Sequence, residues 1–204
     1  MVASGKIVAA LAIASTLTCK AAVRPPLVTV EYVDLQRFMG DWYVIANIPT
    51  WIERRAHNAV ESYRLDSGGA IATTFTFRDG GFDGAERRYT PKAFVRDDRS
   101  NARWGMQFVW PVEADYRIIY LNEDYTQTVI GRHKRDYVWV MARTPEIPDE
   151  DYLHLVRVIS EAGYDVTRLA PVPQRWHDVS SAEAESRTTT ARPREPHRDD
   201  NHLR

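Results

Sequence analysis

Trp104-Gly105-Met106-Gln107-Phe108-Val109-Trp110 carries a large apolar residue at every second position. Successive side chains of a strand point to opposite sides, so this spacing puts Trp104, Met106 and Phe108 on one face. The next run repeats the pattern with Tyr116, Ile118 and Tyr120. A later run does so with Tyr137, Trp139 and Met141, and Arg143 continues that face. Turn-forming clusters separate the runs: Asp66-Ser67-Gly68-Gly69, Asp79-Gly80-Gly81, Asp97-Asp98 and Asn122-Glu123-Asp124. Strands are expected near 41–48, 58–66, 70–78, 86–95, 103–110, 115–122, 127–132 and 137–143. Eight strands at hairpin spacing predict an all-β fold, an eight-stranded antiparallel up-and-down β-barrel whose closure removes the sheet edges.

One late segment has a different period. Pro148 begins it, Asp149, Glu150 and Asp151 occupy its first turn, and Gly163 ends it. Tyr152, Leu155, Val156 and Ile159 recur at helical spacing, which predicts a single C-terminal α-helix packed outside the barrel. Its expected partner is the first strand, where Trp42 to Ala46 is apolar on both faces and needs cover on both.

The ends read differently from the middle. Lys6 precedes the short apolar run Ile7–Thr18, which fits a secretory leader over residues 1–18 and is too short to span a bilayer. Cys19 closes that run and is followed by Lys20 and Pro25-Pro26, the pattern of a lipidated cysteine with a tether over 19–30. Ala12-Ile13-Ala14 offers an alternative cleavage signal that would remove Cys19, so both outcomes stay open. The expected location is the periplasm or the outer membrane. All 22 aromatic residues fall between Tyr32 and Trp176, so the barrel domain is placed at 31–176. Residues 177–204 are polar and mixed in charge, unable to bury enough surface to offset their ordering entropy, and are expected to form a disordered tail.

Composition removes several function classes. The 204 residues carry 27 Lys+Arg against 28 Asp+Glu, a net charge of −1, which does not suit a nucleic-acid binder. Cys19 is the single cysteine, so neither an intramolecular disulfide nor a Cys-rich zinc site can form. The chain holds no G-x-S-x-G, no H-E-x-x-H and no Gly-rich phosphate loop. No catalytic residue, metal or cofactor is therefore expected. His57 is placed in the loop after the first strand, His133 in a charged turn and His154 on the helix, none with interior parity. The alternative, a haem- or tetrapyrrole-binding or catalytic barrel, would need an interior histidine or paired acids.

A small barrel is either filled by side chains or open to one ligand. The interior set here begins with Trp42, Val44 and Ala46 from the first strand, and Glu61 and Tyr63 from the second. Trp104, Met106, Phe108, Tyr116, Ile118, Tyr120, Tyr137, Trp139 and Met141 complete it. Aromatic walls with a few hydroxyl and indole donors suit an amphiphile with an apolar chain.

Gly40-Asp41-Trp42 resembles the G-x-W motif that opens the first strand of lipocalins, and Asp34–Met39 resembles the short helical turn before it. Asp136-Tyr137 is similar to the end of the family's T-D-Y motif, with Arg135 where Thr is usual, and Arg143-Thr144-Pro145 resembles its third motif. Gly163-Tyr164-Asp165-Val166 resembles the branch of bacterial lipocalin, temperature-induced lipocalin and apolipoprotein D. The resemblance runs from about Val28 to Trp176. It implies storage or transport of a fatty acid or lysophospholipid by a monomer or weak dimer.

The Arg143 guanidinium should cover the Trp42 indole and pin the barrel seam, with Gly40 beside them. Glu61 has inward parity where small apolar residues are common in relatives. There it would either orient a cationic head group or lie at the wet mouth. Trp51 and Ile52, flanked by Arg54, Arg55 and His57, could bring the open end to a membrane surface.

Overall fold

The computed structural model describes residues 24–176. The leader, Cys19 and the tail from 177 lie outside the described residues. A short helix α1 (Leu35–Phe38) leads into β1 (Gly40–Ile48), β2 (Ala56–Leu65) and β3 (Ile71–Asp79). Then come β4 (Ala85–Tyr89), β5 (Lys92–Val95), β6 (Arg103–Val109), β7 (Val112–Leu121), β8 (Gln127–Gly131) and β9 (Val138–Ala142). Helix α2 (Asp149–Glu161) and a two-residue strand β10 (Ala170–Pro171) follow.

Neighbouring strands pair antiparallel in chain order, and β9 returns to pair with β1, closing an eight-stranded barrel. The fourth barrel strand is broken into β4 and β5. Pro91 has no N–H for the ladder, so pairing lapses there, yet the register against β3 continues from Phe75 opposite Tyr89 to Ala72 opposite Lys92. β10 adds to the outer side of β1 at Ala46 and Asn47.

Two bulges correct the interior assignment. β1 carries one extra residue against β9 between Val44 and Ala46. A one-residue insertion flips every later side chain to the other face. Ala46 and Ile48 therefore pack outside the barrel with Leu155 and Ile159 of α2, while Asn47 turns inward towards Glu53. β7 bulges between Ile118 and Tyr120, so Tyr120 also faces outward, its ring 5.3 Å from His154. Alternation alone had put Ala46 and Tyr120 in the lumen. His57, expected in a loop, lies within β2, edge-on to Phe82 at 5.0 Å.

Helix α2 starts after Pro148 and ends before Gly163, whose φ of +87° suits a residue without a Cβ. Its Leu155 and Ile159 cover not only the end of β1 but also Val129, Val138 and Val140 of β8 and β9. Part of the expected tether lies on the barrel: Leu27 is buried in this outer layer, and the Val30 N–H donates to the Ile118 carbonyl at 3.0 Å.

Candidate functional site

The strand directions place the loops after β1, β3, β6 and β8 at one end of the barrel and α1 at the other. The α1 end is closed. Phe38 packs against Trp42, Tyr63 and Trp104 at 5.0, 5.6 and 5.4 Å, and the Trp42 indole N–H donates to the Phe38 carbonyl at 2.9 Å. Arg143 lies 3.8 Å from the Trp42 ring centroid. Its Nη2 donates to the carbonyls of Arg37, Phe38 and Met39, and its Nη1 to that of Asp41. Arg143 thereby satisfies the carbonyls that the end of a helix leaves without partners. Gly40 has φ +97°, and a Cβ there would lie 3.3 Å from Arg143 Nη1, so both conformation and space call for glycine.

Above this floor the barrel holds an open cavity of about 640 Å³. That is within the range of roughly 300–1,000 Å³ common for small-molecule sites. Of the residues expected to line it, Glu61, Met106, Phe108, Tyr116, Tyr137 and Trp139 do. Val44, Tyr63, Ile118 and Met141 belong to the packed interior beneath it. Phe75, Tyr89, Ala114, Glu53 and Arg132 also line the cavity and were not singled out from sequence. Phe75 could have been, since it alternates with Thr73 and Phe77 on β3. Glu53 comes from the loop after β1, where no periodicity reports direction. A smaller groove of about 510 Å³ lies outside the barrel, between residues 24–28 and the end of α2, and lacks the aromatic lining of the lumen.

Two carboxyls sit among these apolar walls. Glu53 is buried and accepts from the Trp139 indole at 3.1 Å, the Asn47 amide at 3.2 Å and the Thr50 backbone N–H at 3.2 Å. Burial raises its pKa against the pull of those donors. Glu61 stands on β2 opposite Trp42 and Phe75. Burial pushes its pKa up to about 7, the nearby Tyr63 hydroxyl opposes the rise, and the Glu53 charge adds to it. The Tyr63 and Tyr116 hydroxyls lie 2.5 Å apart, and Trp104 stacks on Tyr116 at 5.0 Å. Glu61 is thus next to the hydroxyl pair of the floor rather than at the wet rim.

The open end is apolar where it meets solvent. Trp51 is 79% exposed, Trp110 80% and Phe108 54%, with Val109 and Val112 exposed beside them at the β6–β7 turn. Arg55 is tied to Asp79 at 2.8 Å. Among the described residues no group of three or more His, Cys, Asp or Glu could hold a metal ion, and none of the three described histidines lines the cavity.

A closed up-and-down barrel, an outer C-terminal helix and an Arg-capped Trp at the sealed end occur here together. A family model for the lipocalin-like domain matches residues 33–174. The chain belongs to the lipocalin family. It is 30% identical to temperature-induced lipocalin-1 of Arabidopsis thaliana over 159 residues, covering 71% of this chain and 81% of that protein. It is 27% identical to outer membrane lipoprotein Blc of Citrobacter freundii, covering 82% of this lipocalin and 96% of that protein. Among solved structures, insecticyanin from the tobacco hornworm Manduca sexta superposes with a TM-score of 0.59 at 14% identity. That match covers 76% of this chain and 86% of the other and bears on the fold alone. Lipocalins are in general binding or transport proteins for small hydrophobic ligands.

Proposed function

We propose that this lipocalin binds a single-chain lipid, a fatty acid or lysophospholipid, in its lumen and stores or carries it in the bacterial envelope. One observation carries the reading: a lumen of about 640 Å³, sealed at one end, whose walls are chiefly aromatic and aliphatic. Each methylene buried there contributes about 0.8 kcal/mol, so an acyl chain supplies most of the binding free energy. The relatives named outer membrane lipoproteins support an envelope location, as do the leader and Cys19, the candidate site of lipid attachment. The rim of Trp51, Phe108, Val109, Trp110 and Val112 is suited to rest on a lipid surface, because tryptophan favours the membrane–water boundary. The protein is read as a carrier and not as an enzyme.

Extraction of the purified full chain, followed by mass spectrometry, tests the proposal. Fatty acid or lysophospholipid recovered in near-stoichiometric amount supports it. A bound pigment, or an extract without lipid from protein that remains competent to fold, contradicts it.

A further inference from the structure

Two groups in the lumen lining, Glu61 on β2 and Arg132 after β8, form a pair that an ordinary fatty acid does not match. At the inner end, Glu61 stands beside the Tyr63–Tyr116 hydroxyl pair. The methyl end of a plain acyl chain pressed against this cluster would strip water from a carboxyl and return no hydrogen bond. Phe75, Met106 and Ala114 supply apolar wall in the same cavity.

At the outer end, Arg132 follows β8 and lines the mouth. Its backbone is held by Tyr164, whose hydroxyl accepts from the Arg132 N–H at 2.7 Å and donates to its carbonyl at 3.0 Å. One edge of the guanidinium faces Asp136 at 3.4 Å. The buried Nε has no partner among the described residues. The residue as a whole lines the cavity, so the guanidinium charge is placed to pair with an incoming anionic group.

We infer that the preferred ligand is an ω-substituted fatty acid, with a hydrogen-bond donor such as a hydroxyl at its inner end against Glu61 and its carboxylate against Arg132. This rests on the lipid-binding reading and narrows it. The inner hydroxyl donates to the Glu61 carboxylate, and the outer carboxylate pairs with the guanidinium of Arg132. Glu61 is faced by Glu53 from the loop after β1 and by the Tyr63 and Tyr116 hydroxyls, with Asp115 and Arg132 on the same cavity lining. Preference for the hydroxylated chain should therefore grow as Glu61 ionises.

Displacement of cis-parinaric acid from the full chain by palmitate and by ω-hydroxypalmitate tests this. Above the pKa of Glu61, ω-hydroxypalmitate should bind about tenfold tighter than palmitate, as expected for a hydrogen bond to a charged group. Glu61→Leu should reverse the order. Glu61→Gln, which keeps the shape should the leucine variant fail to fold, should make the ratio independent of pH. Arg132→Gln should weaken both ligands alike. Equal affinities unaffected by either Glu61 substitution would overturn the inference and leave lipid binding intact. Failure of both lipids to displace the probe would overturn the two together.

Discussion

The Arg143 guanidinium, one residue beyond the last barrel strand, lies 3.8 Å over the ring of Trp42 on the first. The same group takes up three consecutive carbonyls at the end of α1. A contact between the two strands that close the barrel thus also fastens the helix that plugs its floor.

Removal of this group should be costly. Arg143→Ala is expected to lower stability by about 2 kcal/mol, since it removes the donor shared by the Arg37, Met39 and Asp41 carbonyls and uncovers the indole. Arg143→Lys should recover less than half, because an ammonium cannot span the fork of acceptors. Urea denaturation gives the difference. A variant with unchanged stability and altered ligand preference would contradict the structural role.

Glu61 imposes a pH dependence of definite sign. Its ordinary pKa of 4.5 is raised to about 7 in the fold. Between those values the native state keeps a proton that the unfolded chain has lost. Stability is then fullest below pH 4.5 and falls as pH rises towards 7, by up to about 3 kcal/mol. Glu53, also raised, acts in the same direction. Glu61→Gln should flatten most of this slope when urea midpoints are measured across the window. An unchanged slope would place the effect elsewhere.

Tyr120 and Trp139 separate the outer layer from the lumen. Tyr120→Ala should destabilise the protein by about 1–2 kcal/mol through lost packing on α2 and leave lipid affinity unaltered. Trp139→Ala should weaken lipid binding, since it removes a cavity wall and a donor to Glu53. Paired melting and displacement curves distinguish the two, and reversed results would put the cavity on the wrong side of the sheet.

The rim predicts a surface property independent of folding. Trp51→Ser with Trp110→Ser should reduce partitioning onto phospholipid vesicles several-fold without shifting the melting temperature. Co-sedimentation measures this, and equal partitioning would remove the membrane contact from the account.

The barrel and its helix were legible in the sequence because side-chain alternation and helical periodicity are direct consequences of backbone geometry. Trp104, Met106, Tyr116 and Trp139 followed from parity alone. Ala46 and Tyr120 did not, because a bulge in β1 and another in β7 each insert one residue where the residue types give no sign of it. Glu53 and Arg132 were illegible for another reason. Both come from connections at the open end, where direction depends on tertiary hydrogen bonds to Asn47, Trp139 and Tyr164 rather than on any period. The inward parity of Glu61 was readable, but its depth was not, since depth depends on the tilt and register of all eight strands.

Whether the lumen takes one acyl chain is tested most directly by titrating the protein with cis-parinaric acid beside its Ala114→Trp variant. Ala114 is part-buried on the cavity wall, where an indole would occupy the space a lipid tail needs. Binding should saturate at one equivalent for the native chain and be at least about tenfold weaker for a variant that melts normally. Absence of saturable binding, or equal binding by the filled variant, would contradict lipid binding in the lumen.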